Sequence, residues 1–498
     1  MQSHRSRPRT GRHALACAIA ALALLHETRP ALAATVEWVG GSGSWSDAAH
    51  WSGSFVPPAG FAAVLGVQSA PTPSVTVNFN YAYDQSAGLT QLVINSTGIP
   101  GVFTLLQTGL GTTMVASSEI IGDTISGNVY DQRAGDNFTT TLVLGNRSGG
   151  DGRYLLSGTG NLHVDTLQVG LAGSGAFSQD GVNSSVFAKQ VGIGFGNGAA
   201  SNYTLAGGSL NIANGGTLAI QPARGSFTQT GGSVSFSGTS GLFISTTAAA
   251  AGPAYTLSGG AIVGAAYETI GFNIASGTAT FAQLAGSNTL AAGGVLTEGD
   301  NSAGMYRMAG GTLSTQTLAL GNQGGGNGVF AQTGGNVTLT AGGELDIGKA
   351  AASSGLYTID NQPVTNGSTL QASVIKVGVA GNGSFRQSNG SVSTTTLTLA
   401  DATGSTGSYT LNGGALQVGS ASAAGTLFVG LSGGGTFTQT GGAVTVIGGN
   451  GNEGQVQIGR SASASSTYFL KGGNLNADSV LVGALGGEIG RASCRERV

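Results

Sequence analysis

In the segment Asn161-Leu162-His163-Val164-Asp165 an imidazole and a carboxylate stand two residues apart. On a strand that spacing sets His163 and Asp165 on one face, opposite Leu162 and Val164. Such a pair is the minimum for moving a proton, but on an outward face it is usually solvated decoration, and it is read so here. Glu298, Asp300 and Asn301 in TEGDNSAG offer oxygen ligands for a hard cation. The calcium-repeat spacing Gly-Gly-x-Gly-x-Asp is missing, so no metal site is predicted. Trp38, Trp45 and Trp51 fall within fourteen residues, with Asp47 and His50 beside them. Their rings suit either a hydrophobic plug or contact with a glycan, and the plug is favoured.

Hydrolysis of a glycosidic bond needs two placed carboxylates. Lyase chemistry needs an acidic calcium cluster with a base to take the proton. Here the acids are scattered about one per repeat with no adjacent pair, and only His50 and His163 follow the first 33 residues. The P-loop, H-E-x-x-H and paired C-x-x-C patterns do not occur. No catalytic residue and no cofactor is predicted. The alternative, a polysaccharide lyase or hydrolase, survives only because distant acids can converge in a fold.

The elements that would carry these residues come from a two-beat repeat. One beat is Tyr-x-apolar before a glycine turn, as in YTLAGG (Tyr203), YTLSGG (Tyr255) and YTLNGG (Tyr409). The other is Phe-x-Gln: FTQTGG (Phe227, Gln229), FAQTGG (Phe330, Gln332) and FTQTGG (Phe437, Gln439). The anchors alternate without exception from Tyr154 to Tyr468, at a mean step of about 26 residues, inside the range of solenoid units. Each unit carries a second short run ending in Gly, such as LQVG (167–170), LALG (318–321) and LFVG (427–430). Period-2 alternation and Gly/Asn turns mark these runs as strands. A four-residue strand cannot bury itself, so each unit must stack on its neighbours. The predicted fold is all-β, a parallel β-helix of about 26-residue coils, with anchor and follower pointing inward. The inward glutamine must then be hydrogen-bonded. Two partners are open to it: a tyrosine hydroxyl of the adjacent coil, or the backbone of its own turn.

The chain has 90 Gly among 498 residues and only 8% charged residues. Residues 1–33 read as a signal peptide, with Arg5, Arg7, Arg9 and Arg12 before the apolar run from Ala14 to Leu25 and the small-residue site Ala31-Leu32-Ala33. That run is too short to span a membrane, and no transmembrane segment is predicted elsewhere. Residues 34–487 hold 11 Lys+Arg against 19 Asp+Glu, a net charge of −8, and no cysteine. No basic patch for nucleic acid remains. The expected organisation is an N-terminal cap over 34–88, degenerate early coils over 89–153, regular coils over 154–487, and a foreign tail over 488–498.

The opening W-x-G-G-x-G-x-W, with Trp51 and Pro57-Pro58 following, and the YTLSGG and FTQTGG coils resemble the β-helical passenger regions of autotransporters. They resemble equally the exported bacterial repeat proteins that end in a PEP-CTERM sorting signal. The resemblance spans residues 35–487 and implies display on a Gram-negative cell surface, with roles in adhesion or biofilm matrix. The chain departs from both groups in having neither a terminal β-barrel nor a Pro-Glu-Pro segment. Its tail, EIGRASCRERV, matches the translation of a common sequencing-adapter strand letter for letter, so the native protein is expected to continue past residue 487 and Cys494 is no nucleophile. The expectation from these features together is a non-enzymatic rod, exported to the cell surface, outer membrane or medium, whose partners are glycans or identical rods.

Overall fold

The computed structural model describes residues 34–67, 74–97, 102–196, 200–245, 254–272, 277–360, 367–461, 465–483 and 493–494. The predicted signal peptide lies outside them. So does the tail, except for Ser493–Cys494, whose backbone pairs with Phe469 and Leu470.

The chain winds into a parallel β-solenoid of about 16 turns of roughly 25 residues each. A coil is three short strands, as in Gly434–Gln439, Ala443–Val446 and Gln455–Ile458. Each pairs in parallel with its equivalent one coil on: Phe437 faces Tyr468, Val444 faces Leu475, and Val456 faces Val480. At about 4.8 Å per strand, 16 turns make a rod on the order of 75 Å long. Alternation works as the period predicts, for in Gly434–Gln439 Gly435, Phe437 and Gln439 point inward while Thr436 and Thr438 look out. One 3-10 turn, Ala48–His50, is the single helical element among the described residues.

The glycines serve the corners. Gly335, the second glycine of FAQTGG, has φ +77°, and a Cβ there would lie 2.6 Å from the carbonyl oxygen of Gly311. Both the left-handed backbone and the close approach of the coil below exclude a side chain.

The region expected as the N-terminal cap, 34–88, contributes strands to the ladders. Thr35–Glu37 pairs with Ala62–Val64, which pairs with Gln91–Val93, while Ser74–Phe79 pairs with Val102–Gln107. Among the described residues the first strand of the ladders is Thr35–Glu37. Trp38, Trp45 and Trp51 fill the first turn, exposed by 0%, 0% and 1%. Trp51 packs edge-on against both of the others, with ring centroids 5.0 and 4.7 Å away, and its Nε1 donates to the Trp45 carbonyl at 2.8 Å.

Candidate functional site

The repeat anchors form one internal column. From Tyr154 to Tyr468 thirteen rings stack face to face, 4.5–5.1 Å between centroids and 3–17° from parallel. Tyr203, Phe227, Tyr255, Phe330, Tyr409 and Phe437 are all 0% exposed. Every glutamine of the column does both things its chemistry allows. Gln332 Oε1 accepts the Tyr357 hydroxyl of the next coil at 2.7 Å, while its Nε2 donates to the carbonyl of its own turn, Gly335, at 2.8 Å and to Thr369 of the next coil at 3.1 Å. Gln229 and Gln439 repeat the arrangement with Tyr255 and Tyr468. The pattern also runs upstream of the regular motif, where Gln107 and Gln132 accept from Tyr130 and Tyr154. These residues are therefore a register clamp inside the rod, with no access for a ligand.

The other residues singled out above are dispersed. The three tryptophans offer no ring face to solvent, so the glycan-contact alternative has no surface there. His50 stacks on Trp38 at 4.9 Å and its Nδ1 lies 3.0 Å from Asp47 Oδ2. Glu298 turns into the core, whereas Asp300 accepts from Asn322 Nδ2 and Gln323 Nε2 at 2.6 and 2.7 Å. With Glu298 inside and both Asp300 oxygens occupied, TEGDNSAG holds no open set of ligands.

His163 is different. It sits outward between Phe138 and Phe187, which occupy the same register position one coil below and one above. The three rings stack at 4.4 and 4.8 Å, both contacts within 9° of parallel. This second ladder is exposed: Phe187 retains 44% of its accessible surface. It forms the floor of a groove of about 830 Å³ that runs from Gly88 through Val115 and Asn211 to Ser237. Seven coils contribute, a length of roughly 30 Å at the strand spacing. Asp165 and Lys189 stand at the rim where the strands bend, both exposed. Half-burial lowers the pKa of His163, partly opposed by Asp136, so the ring favours its neutral form. An apolar strip of aromatic edges beside hydroxyl and amide groups suits a long, uncharged, amphipathic chain.

The strands also bring together an acidic pair, contrary to the scattered acids expected above. Glu344 and Asp346 share one outward face of ELDIG, each with its own lysine: Lys376 on Glu344, and Lys349 on Asp346 at 3.2 Å. Burial raises the pKa of Asp346, with Glu344 adding to the effect against Lys349. For Glu344 burial acts upward too, but Lys376 outweighs it and the net shift is downward. Each carboxylate is matched by an ammonium; Lys376–Glu344 ties one coil to the next, whereas Lys349–Asp346 closes within a single coil.

No protein family, curated protein or solved structure matches the chain.

Proposed function

We propose that this chain is a non-enzymatic β-helical rod, exported to the cell surface or medium, that acts in adhesion or matrix scaffolding by holding a neutral glycan chain along the groove of Phe138, His163 and Phe187. The observation that supports this is the contrast between coils that repeat one inner clamp and the outward column Phe138–His163–Phe187, where three rings of successive coils stack face to face on the floor of a groove. In a passive rod an outward phenylalanine costs solubility and adds little stability. The groove lining carries one carboxylate, Asp165, where glycoside cleavage would require two.

The test is to incubate the full chain with a panel of neutral and acidic polysaccharides, scoring retention and cleavage products separately. Retention of neutral chains, lost in Phe138→Ala/Phe187→Ala, supports adhesion. Neither retention nor products leaves the scaffold role. Released oligosaccharides overturn the non-enzymatic reading and favour the lyase or hydrolase alternative.

A further inference from the structure

Three glutamates occupy positions that other coils fill with aliphatic residues, and two of them are built alike. Glu119 stands in the column of Leu92 and Leu142, and Glu268 in that of Leu242 and Leu296. Both are 0% exposed. Across the junction to the next coil each meets an asparagine that is also fully buried. Asn137 Nδ2 donates to Glu119 Oε2 at 3.0 Å, and Asn288 Nδ2 to Glu268 Oε2 at 2.9 Å. The same Nδ2 also donates to the clamp, 3.1 Å from the Tyr154 hydroxyl oxygen in one case and 3.4 Å from that of Tyr306 in the other. Those hydroxyls donate in turn to Gln132 and Gln283.

The same two atoms are left without a partner at both places: Glu Oε1 and Asn Oδ1. Both are acceptors if the glutamate is ionised, and burying an unpaired carboxylate oxygen beside an unpaired carbonyl is costly. One proton on Oε1 turns it into a donor and resolves both defects.

We propose that Glu119 with Asn137, and Glu268 with Asn288, are two proton-binding sites, each a cyclic acid–amide pair in which Glu Oε1–H donates to Asn Oδ1 and so bolts one coil to the next. Among the described residues no cation stands against either glutamate. The titratable groups facing Glu119 are the phenols of Tyr130 and Tyr154; those facing Glu268 are Tyr255 and Tyr306, with Glu298 beyond Tyr306. Burial pushes Glu119 up to about 8 and Glu268 up to about 7, the asparagine bond opposing only part of the shift. The folded chain then holds protons that the unfolded chain releases above the ordinary value of 4.5. Stability is full below that value, falls as pH rises, and reaches its floor once each site has ionised. The bolts are closed in acid and open in alkali.

Difference infrared spectroscopy of the full chain, with glutamate carbon-13 labelled, decides the matter. The expected result is a protonated-carboxyl C=O band at pH 6 that fades on raising the pH through 7 and 8. Glu119→Gln/Glu268→Gln, whose amides mimic the protonated acid, should lose that band apart from the share of Glu298. Urea unfolding of the wild type should show an equilibrium constant rising about tenfold per pH unit per site between 4.5 and 7, with a shallower slope in the double variant. A wild-type band that titrates near 4.5, or one left unchanged in the double variant, overturns the proposal. The wild-type titration reads this out even if the double variant fails to fold.

Discussion

Two aromatic ladders run along this rod, one inside and one outside, and their stacking geometry is nearly the same. Tyr357 lies 4.8 Å from Phe330 in the core; Phe187 lies 4.8 Å from His163 on the surface. Strand spacing sets both distances, because rings in register on parallel strands have nowhere else to go. What differs is the polar chemistry around them. Each inner tyrosine is tied to a glutamine of the preceding coil, and each such glutamine to two carbonyls. Stacking alone is therefore no mark of a structural role. The ladder that specifies register is the one whose hydrogen bonds close.

The sharpest way to break the comparison is to truncate one ring in each ladder. Phe330→Ala opens a cavity between Tyr306 and Tyr357 and should cost about 3–5 kcal/mol, while Phe187→Ala should cost under about 1 kcal/mol because its ring is already half in water. Urea midpoints of the two variants measure the gap, and equal losses would show that the outer ladder is structural too.

Next in size is Gln332→Leu. It keeps the volume but strands the Tyr357 hydroxyl and takes an amide donor from the Gly335 and Thr369 carbonyls, Gly335 keeping the Thr369 N–H at 3.2 Å, at about 1–3 kcal/mol for a buried group left unpaired. Tyr357→Phe removes one bond and strands only Gln332 Oε1, so its cost should be lower, about 1–2 kcal/mol. Hydrogen exchange across residues 327–371 should rise in the order wild type, Tyr357→Phe, Gln332→Leu. A Gln332→Leu chain as protected as the wild type would reduce the clamp to an accident of packing.

The inner ladder was legible because its letters repeat: Tyr-x-apolar and Phe-x-Gln mark the coils from Tyr154 to Tyr468, and glycine turns make the corners. Its two proposed glutamine partners were legible as well, though as alternatives, since nothing in a linear motif says that one amide reaches a hydroxyl and two carbonyls at once. The outer ladder was hidden. Phe138, His163 and Phe187 share no motif, and only their spacings of 25 and 24 residues, close to one coil, betray a column. The buried acids had a plainer signal, for EIIG (119–122) and ETIG (268–271) place glutamate where LQVG and LFVG place leucine. The pairing of Glu344 with Asp346 escaped because Leu345 separates them in sequence, although two residues apart on a strand is one face.

The smallest expected effect concerns pH at the outer ladder, and its sign is opposite to that of the buried acids. Half-burial lowers the pKa of His163 below the ordinary 6.5, so the unfolded chain takes up a proton first as pH falls. Stability from this ring is present above 6.5 and declines as pH drops through its folded value. Solvent screening at a half-exposed site keeps the change small. Replacing the imidazole by His163→Phe would complete a Phe-Phe-Phe ladder, abolish that acid-side decline and leave the alkaline side untouched. A chemical-shift titration of His163 gives the folded pKa directly. A midpoint at or above 6.5 would mean that Asp136 outweighs burial, that the ring is charged at mildly acidic pH, and that the groove then admits acidic chains more readily than the neutral ones it is proposed to hold.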